Sequence, residues 1–306
     1  MWGNNHLLEV SEHLFPTLTA FFAAYRDAAR SQSATLNGWS LDGRDPRVIE
    51  KLFPLMGWLY HYYFKVQTDG WEHLPKDSKV LLIGSHNGGL AAPDLYMMYY
   101  DWCRYFSTDR PVYALMNPKI WQVLPGCAKL AAQMGAIRAH PSMAIAALQR
   151  NASLLIFPGG AQEVFRPHSQ RKEVCFYHRK AFIKLALREE VPIIPLLSYG
   201  AHSTLIVLAD LYPLLTELHQ RGFPWFFGID PEVCPIYLGL PWGLTIGPLP
   251  NIPLPMHIRT RVCLPIVFDF YGEAAAQDVD YVDECYRKVH VQMQAALHQL
   301  IQDYGV

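Results

Sequence analysis

The 306-residue chain predicts an α/β fold, a mixed and largely parallel sheet with helices on its faces. Three observations predict it. Apolar runs of strand length recur through the chain: KVLLIGSH (79–86), PVYALMN (111–117), SLLIFP (153–158) and VPIIPLLS (191–198). Segments of helical length separate them. Turn residues close the runs, as Gly159-Gly160 closes the third.

Taken in order, residues 6–30 and 47–66 read as helices with aromatic-rich apolar faces, joined by the linker SQSATLNGWSLDGRDP (31–46). After the strand at 79–86, a helix spans 93–105, and Pro93 suits its first turn. The strand at 111–117 leads to a helix over 119–134 and to a short strand, GAIRA (135–139). Pro141 and Ser142 open the next helix, with Ser142 as its cap. Beyond the strand at 153–158, residues 177–190 form a helix and 191–198 a strand. From 221 the chain becomes Pro/Gly-rich, and IRTRVCLPIVF (258–268) is a further strand. Val282, Tyr286, Val289, Met293, Leu297, Leu300 and Tyr304 stand at helical spacing, which predicts an amphipathic helix packed on the domain. The expected organisation is an N-terminal helical region (1–69), a central domain (70–270) and a C-terminal helix (271–306).

Hydrophobic residues make up 51% of the chain and charged residues 17%, below the usual quarter or so. That excess predicts a large core and a surface in contact with something greasy. A net charge of −1 gives no general attraction to nucleic acid. The six cysteines (Cys103, Cys127, Cys175, Cys234, Cys263, Cys285) are scattered, without metal-ligand spacing, and read as reduced thiols. His140, His168, His178 and His202 read as loop or surface residues, and no metal is expected. The start, MWGNNHLLEVSEHLF, lacks the pattern of a signal peptide. No spanning helix is expected either. LFPLMGWLYHYYF (52–64) is too short, and VPIIPLLSYGAHSTLIVLA (191–209) is interrupted by Pro192, Pro195, Gly200 and His202 and reads as a buried strand and loop.

The stretch GSHNGGLAAPD (84–94) puts His86 at the carboxyl end of a strand, where sites form in open α/β sheets. Gly88 and Gly89 allow close approach to it. His86 reads as a general base for a hydroxyl proton, or as a buried histidine bonded to a carbonyl. In LLIFPGGAQEVF (154–165), Gly159 and Gly160 can arrange backbone donors around an oxyanion, or simply make a tight turn.

These blocks, with GAIRA (135–139) and VPIIPL (191–196), resemble the glycerolipid acyltransferase superfamily in their order. The GGAQE and HNGGLAAPD forms, and GLPWGLTIGPLP (239–250), look most like the branch of type-2 diacylglycerol acyltransferases, transmembrane-protein-68-like enzymes and phytyl ester synthases. The resemblance covers roughly residues 70–270 and implies a glycerol-3-phosphate acyltransferase-like fold. It implies transfer of an acyl group from a fatty acyl thioester, of CoA or acyl carrier protein, to a lipid alcohol. It also implies His86 as general base and no cofactor. The absence of a GxSxG elbow agrees with direct transfer.

Two departures from the family pattern carry information. The family's aspartate follows its histidine after four residues, whereas here Asp94 stands eight residues after His86. Eight residues of helix span about 12 Å, so Asp94 orients His86 only if GGLAAP is not regular helix. Otherwise it caps the following helix, and Glu163 is the alternative partner or a solvated loop carboxylate. Where phospholipid-making members have an arginine for the acceptor phosphate, this chain has Gln162. That predicts a neutral acceptor (diacylglycerol, a phytol-like alcohol or a quinol). Arg138 and Arg166 could compensate, which keeps lysophosphatidate as one alternative acceptor; a non-catalytic lipid-binding homologue, favoured by the displaced Asp94, is the other. Arg138, Gln162 and Glu163 are the expected substrate contacts. Arg166, Arg171, Lys172, Arg179 and Lys180 either grip anionic groups or form a solvated face. A substrate drawn from a bilayer favours attachment to the membrane surface on the cytoplasmic side. The aromatic residues of the N-terminal helices, Phe15, Phe22 and Phe64 among them, fit such an anchor as well as a core.

Overall fold

The computed structural model describes residues 4–75, 78–225, 228 and 230–304. Two helices, α1 (Asn4–Arg30) and α2 (Pro46–Trp58), come first, α2 continuing through a wider turn at Leu59–Tyr63. Then follow β1 (Gln67–Asp69), β2 (Leu81–Gly84), α3 (Pro93–Phe106) and β3 (Val112–Met116). The predicted helix over 119–134 is two helices, α4 (Ile120–Val123) and α5 (Pro125–Gln133). Pro125 disfavours helical backbone at the residue before it, and Leu124 sits at φ −133°, ψ 59°. Next come β4 (Ala136–Arg138) and α6 (Pro141–Gln149), whose cap is His140 rather than Ser142, the imidazole accepting from the Ser142 N–H.

The chain continues through β5 (Ser153–Ile156), α7 (Gly160–Val164), α8 (Ala181–Arg188) and β6 (Ile193–Tyr199). The α8 helix starts later than the periodicity predicts, because Tyr177 and His178 take left-handed backbone (φ 50° and 56°). Past β6, the segment expected as loop and Pro/Gly-rich chain contains regular structure. It holds β7 (Ile206–Asp210), α9 (Tyr212–Gln220), β8 (Pro235–Gly239) and β9 (Gly243–Ile246). Last come β10 (Arg259–Val262), α10 (Glu273–Gln277) and α11 (Val279–Tyr304).

The main sheet has the order β1-β10-β6-β2-β5-β3-β4. Strands β2 to β6 are mutually parallel, and β10 runs antiparallel to β6. Alternate side chains feed two cores. Leu81, Ile83, Leu154 and Ile193 pack with α6, α8 and α11 on one face. Leu82, Leu155 and Ile194 pack with α2 and α3 on the other, where Tyr60 and Phe64 are also buried. Coverage of both faces is why these strands read as continuous apolar runs. A separate antiparallel sheet, β7-β8-β9, stands beside the carboxyl ends of the parallel strands.

Candidate functional site

The parallel strands all end on one edge, and the site is built there. Just beyond β2 the chain leaves extended geometry and runs Ser85-His86-Asn87. It then turns through Gly88 (φ 86°) and Gly89 (φ 68°). A Cβ at Gly88 would lie 2.5 Å from Pro93 Cδ, and one at Gly89 2.6 Å from Leu205 Cδ2, so both positions need glycine. Ala92 also takes left-handed backbone (φ 41°) immediately before α3. GGLAA is therefore a compact loop instead of two helical turns. It folds Asp94 back onto the histidine, with Asp94 Oδ2 3.1 Å from His86 Nδ1.

Asp94 is buried and also accepts from the Asn87 N–H (2.7 Å). The His86 ring is 17% exposed, so it is held on one side and reachable on the other. Phe157, just past β5, stacks on it with centroids 4.3 Å apart. Gly84 makes room for this, since a Cβ there would collide with the Phe157 ring.

Beneath the loop lie two ionisable side chains, Glu163 and Arg166, whose burial the sequence did not reveal. Glu163, expected on the surface, against substrate or as the alternative partner of the His86 ring, is 0% exposed, and the ring's carboxylate partner is Asp94. Glu163 Oε1 accepts from Ser85 Oγ (2.8 Å) and from the Cys175 N–H (3.1 Å). Oε2 has no hydrogen-bond partner among the described residues, although the His86 N–H faces the carboxyl. Burial raises the pKa of this carboxyl above the ordinary value, an effect the Arg166 charge partly offsets. Arg166, read from sequence as part of a surface cluster, is 2% exposed. It donates to the carbonyls of His86 (2.7 Å), Glu163 (2.8 Å) and Gln170 (3.2 Å), and to Asn87 Oδ1 (2.8 Å).

The glycine pair after β5 sits beside this frame. A Cβ on Gly159 would strike Glu163 and the Cys175 carbonyl. The Gly160 N–H is taken by the Phe157 carbonyl (3.1 Å), which removes it as an oxyanion donor. Arg179 lies on this loop, donating to the carbonyls of Gly159 (2.7 Å) and Pro158 (3.1 Å) and to Gln162 Oε1 (2.8 Å). Arg138 stands apart from the histidine at the end of the edge strand β4. Its Nε donates to the Asn37 carbonyl (2.9 Å), and its guanidinium lies over Trp39 and Trp121. His202, expected at the surface, is buried. Neither ring nitrogen has a partner among the described residues, and burial pulls its pKa down to about 3.

Ser85, Asn87, Phe157, Arg166 and Arg179 therefore join the residues that the motifs marked. Among the described residues no three His, Cys, Asp or Glu side chains gather as a metal site, and no helix is long and apolar enough to cross a membrane.

Fold and site together define an α/β protein with a carboxylate-backed histidine at the carboxyl edge of a parallel sheet. The family model for diacylglycerol acyltransferase matches residues 58–295, and the chain belongs to that family. It is 24% identical over 252 residues to an uncharacterised protein of Mycobacterium tuberculosis (strain ATCC 25618 / H37Rv), covering 81% of this chain and 65% of that one. An uncharacterised protein of Mycobacterium leprae (strain TN) is 23% identical over 260 residues, 85% of this chain and 66% of that one. The chain thus spans just under two thirds of the length of these relatives. Diacylglycerol O-acyltransferase 2 of Xenopus laevis is 25% identical over 155 residues, 50% of this chain and 39% of that one. Among solved structures, the 1-acyl-sn-glycerophosphate acyltransferase of Thermotoga maritima aligns with a TM-score of 0.44 at 13% identity, covering 94% of this chain and 99% of that one.

Proposed function

We propose that the chain transfers a fatty acyl group from a thioester of CoA or acyl carrier protein to the hydroxyl of a neutral lipid at a membrane surface, on the cytoplasmic side. Diacylglycerol, a phytol-like alcohol and a quinol are the acceptors that fit this reading. The observation that carries it is the His86–Asp94 contact of 3.1 Å. With Nδ1–H donating to Asp94, the other ring nitrogen, Nε2, is left as the base. It takes the acceptor's hydroxyl proton as the oxygen attacks the thioester carbonyl. The tetrahedral intermediate collapses, the carbon–sulfur bond breaks, and the imidazolium returns the proton to the departing thiolate. Main-chain N–H groups of the Gly88–Gly89 turn, or of Gly159, are the donors proposed for the oxyanion.

A neutral acceptor is supported by the positions of the arginines. Arg166 is buried and spends its donors on the histidine loop. Arg138 is held by Asn37 between two tryptophans. One feature favours the second reading, a lysophosphatidate acceptor: the exposed Arg179 guanidinium lies against Gly160. Competition between diacylglycerol and lysophosphatidate for a labelled acyl-CoA, in the parent chain and in Arg179→Ala, separates the two. The neutral reading expects diacylglycerol ester in both. Lysophosphatidate acylation that depends on Arg179 replaces it with the second.

A further inference from the structure

The β7-β8-β9 sheet has two apolar faces, and one of them packs beside the site. Val207 and Tyr237 on its inner face pack with Val164 and Phe165, directly after the glycine loop, and with Leu205. On the outer face, register builds two cross-strand rows, Ile206–Leu238–Leu244 and Ala209–Ile236–Ile246. Leu208, at the register shift in β7, is exposed too. Leu244 is 67% exposed, and Trp242 at the hairpin end is 53% exposed. The segment 233–256 that forms most of this wall contains no charged residue. An open sheet face facing water ordinarily alternates to polar side chains, and this one does not.

The wall is polar at one end only. Asp210 and Glu232 lie where β7 ends and β8 begins, while the opposite end carries Leu240 and Trp242. That apolar end is the one close to the histidine loop. Leu205 is wedged between the two, its methyl groups 2.6 Å from where a Cβ would stand on Gly89 and on Gly239. Asn251 reaches across as well, 3.4 Å from the Ala91 N–H and 3.5 Å from the Gly88 carbonyl.

We propose that the outer face of β7-β8-β9, hairpin end foremost, docks on the lipid bilayer. Docking there sets the histidine loop at the bilayer surface, so that an acceptor reaches it without crossing water. This rests on the acyl-transfer reading for its purpose, but not for its geometry. A face with no charge fits the zwitterionic or neutral interface of a membrane, with Trp242 at headgroup depth. It offers nothing to an acidic or basic protein partner. The exposed aromatic residues of α1, Phe15 and Phe22, lie on a different element, packed against α5 and α2.

The test is flotation of the full chain with phosphatidylcholine vesicles. The parent is compared with Leu244→Asp/Ile246→Asp, with the strand-compatible Leu244→Thr/Ile246→Thr, and with Phe15→Asp/Phe22→Asp. Circular dichroism checks the fold of each, and acyl transfer is followed in parallel. Removing one large aliphatic side chain from an interface weakens partition about ten- to a hundredfold. Each β9 variant removes two such side chains, so the expected result is a loss of at least about tenfold in both, little change in the α1 variant, and binding that persists in high salt. Unchanged binding in the β9 variants, or binding abolished by salt, overturns the proposal. So does a parent dimer, seen by light scattering, that the β9 variants dissociate while vesicle affinity holds; the face is then the contact between two copies. Vesicle binding lost in the β9 variants, with no acyl transfer by the parent on any acceptor, sustains the docking and defeats the chemistry instead.

Discussion

Asp94 touches His86 because a five-residue loop spends three left-handed positions in place of two turns of helix. The histidine and both glycines were legible, and so was the condition under which Asp94 could reach the ring. That Ala92 adopts φ 41° was not legible, since alanine carries no signal for it. Replacing His86 by Ala is expected to lower kcat by about 10²- to 10⁴-fold with the fold intact. Asp94→Asn should lower kcat more than it raises KM, which steady-state kinetics reads directly. Two buried titratable groups give opposite pH signatures. Glu163 has a raised pKa in the folded state, so its contribution to stability is present in acid and lost as pH rises through that value. Thermal unfolding should therefore show the parent losing stability relative to Glu163→Gln as pH climbs above 4.5, the ordinary value. His202 is the reverse: its pKa falls from 6.5 to about 3, so the folded state excludes a proton that the unfolded chain binds. Stability is full above 6.5 and declines as pH falls toward 3, by at most ~1.4 kcal/mol per pH unit, and His202→Phe should flatten that slope. The burial of both groups was hidden in the sequence, because a lone Glu or His in a polar loop reads the same whether covered or not.

Elements buried on both faces or along one stripe were the easiest to read. Strands β2, β5 and β6 stand where apolar runs stood, and α11 buries Val282, Tyr286, Val289, Met293, Leu297 and Leu300 as their spacing predicts, whereas Tyr304, in its last turn, is exposed. Truncating Met293, fully buried, to Ala should cost about 2–5 kcal/mol in denaturant unfolding. The second sheet was missed for a physical reason. Its inner Tyr237 and Gly239 alternate with outer Leu238 and Leu240, all of them apolar or glycine, so no period of two survives. Pro235 and Gly243 begin their strands, where proline and glycine are tolerated, yet in sequence they read as loop. Strand ends also tune the site. Gly84→Val would push Phe157 off the imidazole, and the expected outcome is a larger loss of kcat than of stability.

Across the whole molecule, a doubly covered sheet supplies rigidity and its carboxyl edge supplies the histidine. A buried Glu163–Arg166 layer fixes the loop from below, and a one-layer apolar wall stands beside it. Arg166, the buried cation of this frame, donates to the carbonyls of His86, Glu163 and Gln170 and to the Asn87 amide oxygen, which leaves the base at His86 as the group proposed to meet the acceptor hydroxyl. The most direct test of that account is an acyl-transfer assay with the purified full chain in liposomes. A labelled long-chain acyl-CoA would be offered with diacylglycerol, phytol and lysophosphatidate in parallel, and His86→Ala as the control. The account predicts ester on the neutral alcohols, lost in the mutant. Product mainly from lysophosphatidate, or turnover that survives His86→Ala in a folded protein, would contradict it.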